Sequence, residues 1–207
     1  MTAPAPDERP ALLRRMLGIA HAPLPDAYLA GIAGSAPQAV KAHAVGWLNV
    51  FHAPSPRCFA GESARRVVVT RVDVEASGEG QGSVLTLESE IEATEELLDR
   101  RNSVDKSFII ALMDECTTSS VVTLDFALGG AGIPTVSLGL NTAWHNSVPH
   151  GSKLRFICVT MASAHRLQAC RCEVWDATLR RLVATGVFTG MSASAGVPEK
   201  GGYSSRL

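Results

Sequence analysis

The stretch Asp105–Val122, DKSFIIALMDECTTSSVV, most constrains how this chain can fold. Phe108, Ile109, Ile110, Ala111, Leu112 and Met113 follow one another without a polar interruption. At about 100° per residue, such a run covers every face of a helix. A helix that is apolar all round belongs in an interior. Two carboxylates, Asp114 and Glu115, come next, followed closely by Thr117, Thr118, Ser119 and Ser120. A carboxylate in an apolar interior is costly unless it is paired, hydrogen-bonded or needed for chemistry. The stretch therefore predicts a central helix that carries an acid into or beside a core.

On both sides of this helix the pattern is that of strands. Arg66–Glu75 is β-rich, and Ser83–Glu92 alternates strictly, with Leu85, Leu87 and Ile91 mostly on one face. Ser77–Gly82, SGEGQG, is turn-forming, so the two runs read as a hairpin. Ala93–Asn102 is charged and reads as helical or irregular. After the helix come strand-like segments at Thr135–Trp144, Lys153–Ala164, Leu167–Trp175 and Leu182–Met191. Between helix and strands, Gly129–Pro134 is a loop; it has neither the spacing nor the strand-to-helix setting of a dinucleotide fingerprint. A strand pair, one long helix and a run of closely connected strands make an α+β chain whose antiparallel sheet buries one face against a single helix.

Residues 1–60 read differently. A polar, Pro-rich start gives way to short helices beginning at Pro10, Asp26 and Val40, the last broken by His52–Arg57, HAPSPR. The expected organisation is an N-terminal extension over 1–60, partly disordered and partly helical, a main domain over 61–192 and a flexible tail over 193–207.

Composition narrows the function. A formal net charge of -1 gives no electrostatic case for nucleic acid. No uninterrupted apolar run reaches the roughly 18 residues of a membrane span, and the start lacks an apolar segment behind a basic one, which argues against a secretory signal. Five cysteines, odd in number and scattered, predict buried free thiols in a reducing compartment rather than a disulfide framework. The six histidines form neither HxxxH nor HExxH, and no metal is expected. Ser205-Arg206-Leu207 is close to the peroxisomal address Ser-Lys-Leu and keeps a cation in the middle. It predicts a peroxisomal import receptor as a partner and a peroxisomal location, with the cytoplasm as the alternative.

An antiparallel sheet around one long apolar helix resembles the hot-dog fold, and the sequence is most similar to acyl-CoA thioesterases of the phenylacetate-pathway type. In that family the helix begins His-Gly-Gly and carries an Asp or Glu nine residues after the His; Asp114 stands at that place. The segments TVSLGLNTAWHNSVPHGSKLRF and HRLQACRCEVWDATLRRLVATGVFTGM resemble the family's later strands. The likeness spans about residues 65 to 191.

The resemblance implies hydrolysis of an acyl-CoA, with Asp114 as general base or nucleophile and Ser137 helping to hold the water. It also implies a homodimer, or a dimer of dimers, with Asp114 from one subunit meeting the helix start of the other. No cofactor is implied, since CoA belongs to the substrate. The His-Gly-Gly positions hold Asp105, Lys106 and Ser107 here. The backbone N–H of Lys106 would polarise the thioester carbonyl, and Asp105 suits the helix as its N-cap while placing a charge near a developing oxyanion. Asn102, Lys106 and Ser107 are the candidate substrate-binding residues. Lys153, Arg155, Arg166, Arg171, Arg180 and Arg181 flank the last strands and could meet CoA phosphates. Glu115 reads as a polar or salt-bridged residue, and His145 and His150 as loop residues. Two alternatives remain: a non-catalytic acyl-CoA-binding protein, and a lyase or dehydratase acting on thioesters. The lyase needs a His paired with a carboxylate, whereas His52 precedes the main domain and the central helix has no His.

Overall fold

The computed structural model describes residues 9–53, 59, 61–76, 82–164 and 167–192. The expected tail at 193–207, with Ser205-Arg206-Leu207, and the polar start lie outside the described residues, as do 54–58 and 77–81. The chain opens with helices α1 (Arg9–Ala20), α2 (Asp26–Gly31), α3 (Gln38–Phe51) and the single turn α4 (Gly61–Ala64). Strands β1 (Val68–Ala76) and β2 (Ser83–Glu92) precede the central helix α5 (Lys106–Ala127). Strands β3 (Thr135–Trp144), β4 (Lys153–Ala164), β5 (Leu167–Asp176) and β6 (Arg181–Ser192) follow it. The charged stretch after β2 holds only a 3-10 turn, Glu95–Leu97.

All strand pairs are antiparallel, in the order β1-β2-β4-β5-β6-β3. The period-two pattern decides which face closes on α5. Leu85 and Leu87 from β2, Leu154, Phe156 and Cys158 from β4, Cys170, Cys172 and Val174 from β5, and Phe188 from β6 are fully buried. Against them lie Ile109, Leu112, Met113 and Cys116 of α5. The helix enters at Asp105, whose carboxylate accepts the Ser107 N–H at 2.7 Å, the N-cap contact expected of that residue. This is a hot-dog fold, an antiparallel sheet wrapped round one long helix.

By length and composition α5 could cross a membrane, with a mean hydropathy of 1.2. In the fold it is a core helix, sheathed by the sheet on one side and by α3 on the other. The α3 side is polar in detail. The Ser119 hydroxyl donates to Ala44 O at 3.0 Å, the His43 ring stacks on Phe126 at 4.2 Å, and Trp47 Nε1 donates to Gly132 O at 3.0 Å. Thr117 and Ser120 turn back onto the carbonyls of Met113 and Cys116, both at 2.7 Å, so these buried hydroxyls are satisfied by the helix itself.

The extension also closes one sheet edge. Ala33 donates to Thr70 O at 2.9 Å and accepts from Val72 N at 3.0 Å, and Ala36 N donates to Val72 O at 3.1 Å. Gly34 between them sits at φ 100, and a Cβ there would lie 2.2 Å from Val72 O, so the close approach requires glycine. The other edge, β3, ends the sheet with Val136 57% and Leu138 53% exposed.

Candidate functional site

Asp114 lies two turns into α5, half-buried, on the side that faces β3. A bulge between Ser137 and Gly139 shifts the β3–β6 register there. The Ser137 hydroxyl donates to Asp114 Oδ1 at 2.9 Å. The structure thus brings together the acid and the strand serine that the resemblance singled out. Burial pushes the Asp114 carboxyl above the ordinary Asp value; the Ser137 hydrogen bond pulls it back, and the Glu115 charge pushes it up further. Such a carboxylate is better suited than an exposed one to take a proton from water near neutral pH.

The other candidates gather at the helix start. A cavity of about 480 Å³ opens there between α5 and the loop after β3, with Arg101, Lys106, Ile109, Trp144, His145 and Asn146 in its wall. The Lys106 ammonium sits 4.8 Å from the centre of the Trp144 ring, a cation–π contact that holds the side chain over the aromatic face. Ser107 turns both its N–H and its hydroxyl to the Asp105 carboxylate. These hydrogen bonds hold Asp105 below the usual carboxylate range. Asn102, a candidate for substrate binding, is not in the cavity wall; it occupies a left-handed position, φ 55, in the turn after Asp99. The cavity loop is tied down by Val104 N–H to Val148 O at 2.8 Å and by Arg181 to Ser147 O at 2.7 Å. His145 Nε2 lies 3.1 Å from the Thr185 hydroxyl, and His150 is exposed outside the cavity wall.

Several expected phosphate ligands are already engaged. Arg155 pairs with Glu90 at 2.7 Å, Lys153 with Glu90 at 3.4 Å and Arg171 with Glu173 at 3.7 Å. Arg181 lies 3.7 Å from the buried Asp176, while Arg166 lies outside the described residues. Asp99, Trp144 and His145 were not singled out as site residues. Their only signal is position, in the turn before the helix and the loop after the matched strand.

One sequence expectation is corrected. His52 was set apart from the main domain, which counted against any His–carboxylate pair. The structure places its Nε2 2.8 Å from Glu115 Oε2, because α3 packs on α5 and the residue that caps its C-terminus reaches that helix.

No protein-family model and no curated protein matches the sequence. Solved structures do match. Thioesterase superfamily member 2 of zebrafish superposes with a TM-score of 0.55 at 17% identity, covering 70% of this chain and 93% of that one. Thioesterase superfamily member 2 of Mus musculus gives 0.50 at 16% identity, covering 64% and 86%. At these identities the likeness establishes the fold, which is the one these thioesterase superfamily members share.

Proposed function

We propose that the chain is an acyl-CoA thioesterase in which water attacks the thioester carbonyl, the acyl–sulfur bond breaks, and a free acid and the CoA thiol leave. The observation that carries this reading is the Asp114–Ser137 pair at 2.9 Å, a desolvated carboxylate held by a strand hydroxyl on the core helix. Asp114 accepts the proton of the attacking water, or attacks the carbonyl itself to form a mixed anhydride that water then opens. The Lys106 N–H at the helix start polarises the carbonyl oxygen, and the cavity beside it receives part of the thioester.

Lys106 and Asp114 are eight residues apart on one helix, about 12 Å along its axis. Within one chain they are too far apart to act on the same carbonyl. A homodimer joined at the exposed β3 edge resolves this by setting Asp114 of one protomer against the helix start of its partner. Ile110, one turn before Asp114 and 40% exposed, adds to the apolar surface available for such a contact.

A second reading, acyl-CoA binding without hydrolysis, is favoured by Asp105. Its carboxylate already occupies the helix N-terminus, where an oxyanion would be stabilised. The two readings separate by thiol release from a panel of acyl-CoA esters. Hydrolysis predicts turnover that falls at least ~100-fold in Asp114→Asn with assembly unchanged. Binding of acyl-CoA with no turnover in the wild type establishes the second reading.

A further inference from the structure

His52 terminates α3, with its backbone N–H turned to the carbonyls of Leu48 and Val50. Arg65 Nε donates to its carbonyl oxygen at 2.9 Å, which anchors the residue from the other side. Its ring is only 5% exposed and meets Glu115, itself 20% exposed, at 2.8 Å. An ionised carboxylate accepts and does not donate, so the hydrogen of this contact is on Nε2. Glu115 follows Asp114 directly in the chain. Neighbouring helix positions point about 100° apart, so the two carboxylates leave α5 on adjacent faces. Asp114 goes towards Ser137 of β3, and Glu115 goes towards the extension.

We propose that His52 is a positioning residue for Asp114: it holds the Glu115 carboxylate on the extension side of the central helix and so sets the field in which Asp114 gains and loses its proton. The catalytic consequence rests on reading Asp114 as the reacting carboxylate. The electrostatic role itself does not.

Two carboxylates on adjacent helix faces repel, and Glu115 does push the ionisation of Asp114 upward. A donor that draws Glu115 away and shares its charge weakens that repulsion. Among the described residues, the charged and titratable groups in contact with this arrangement are His52 of α3 on Glu115, Arg65 after α4 on the His52 carbonyl, and the Cys116 thiol next along α5. From β3 comes the neutral Ser137 hydroxyl. The extension therefore reaches the acid electrostatically, through a contact spanning 63 residues of sequence.

The test follows the Asp114 side-chain carboxyl by 13C NMR across a pH series in the full-length protein. Glu115→Gln is expected to lower the Asp114 midpoint by about 0.5 to 1 unit. His52→Ala is expected to raise it by a comparable amount, and His52→Gln, which keeps an N–H donor, to restore most of the wild-type value. In the Glu115→Gln background, removing His52 is expected to change nothing. An Asp114 midpoint indifferent to Glu115→Gln overturns the proposal. So does a His52 effect of the same size with and without Glu115, since that would reflect packing. If His52→Ala does not fold, His52→Leu, which fills the site without an N–H donor, decides the same question alone and combined with Glu115→Gln. The readout needs no turnover, so a chain that binds acyl-CoA without cleaving it loses the hydrolysis reading and not this one. If hydrolysis occurs, the acid limb of kcat moves in the same sense as the NMR midpoint in each variant.

Discussion

Asp114 must be ionised to accept a proton, and its half-buried place makes ionisation harder. Its carboxyl sits above the ordinary value, so activity is expected to fall as pH drops through that raised value. Ser137→Ala removes the hydrogen bond that favours the charged form. The acid limb of kcat against pH is then expected to move up by about 0.5 to 1 unit. The same shift enters stability. With a folded value above the unfolded one, the native state binds more protons between the two, and stability is lost as pH rises through the folded value. At neutral pH the ionised side chain is therefore a liability. Asp114→Asn is expected to unfold at higher urea than wild type at pH 7, and the gain should shrink at about pH 4. A variant less stable than wild type at pH 7 would mean that the carboxylate is paid back by contacts beyond Ser137.

The α3–α5 contact holds the extension on the core. His43 lies between Trp47, Thr123 and Phe126, and burial lowers its ionisation to about 4. The sign here is opposite to that of Asp114. Above about pH 6.5 both states carry a neutral ring; below it the unfolded chain takes a proton that the folded one refuses. Stability is lost as pH falls towards 4, with up to about one proton taken up on unfolding. The protection factors of α3 amides, corrected for the intrinsic exchange rate at each pH, are expected to fall over that window, and His43→Phe should flatten the pH dependence. Packing of α1 on α3 has its own tight point. A Cβ at Gly46 would lie 2.0 Å from the Ala20 carbonyl oxygen, which is backbone and cannot step aside. Gly46→Ala is expected to cost about 1–3 kcal/mol in urea unfolding. Gly186→Ala meets the mobile end of Met113 and should cost less.

For the molecule as a whole, the proposed assembly depends on β3. Val136→Lys combined with Leu138→Lys places two charges on exposed apolar positions at the open edge. The pair is expected to give monomers by sedimentation velocity, with turnover lost and the monomer still folded. Activity retained in a monomer would require a site within one chain, against the roughly 12 Å between Lys106 and Asp114. The buried thiols Cys116, Cys158, Cys170 and Cys172 belong to the shared core, and should react with a thiol reagent only after unfolding.

What the amino-acid sequence determined by itself was local. The unbroken run from Phe108 to Met113 marked a core helix, alternation marked the strands, and Asp105 before Lys106 marked the cap, because each depends on neighbours within a turn or a pleat. Only the tertiary structure decided which distant segments meet. The strand order, with β3 sent to the edge beside β6, follows from which faces bury together, and no local period encodes that. Resemblance pointed to Ser137, but its contact with Asp114 required β3 to lie along the helix. The meeting of His52 with Glu115 had no local signal at all. It arises because burying the apolar face of α3 against α5 brings the end of one helix to the middle of the other, and a half-buried carboxylate there gains from a partner.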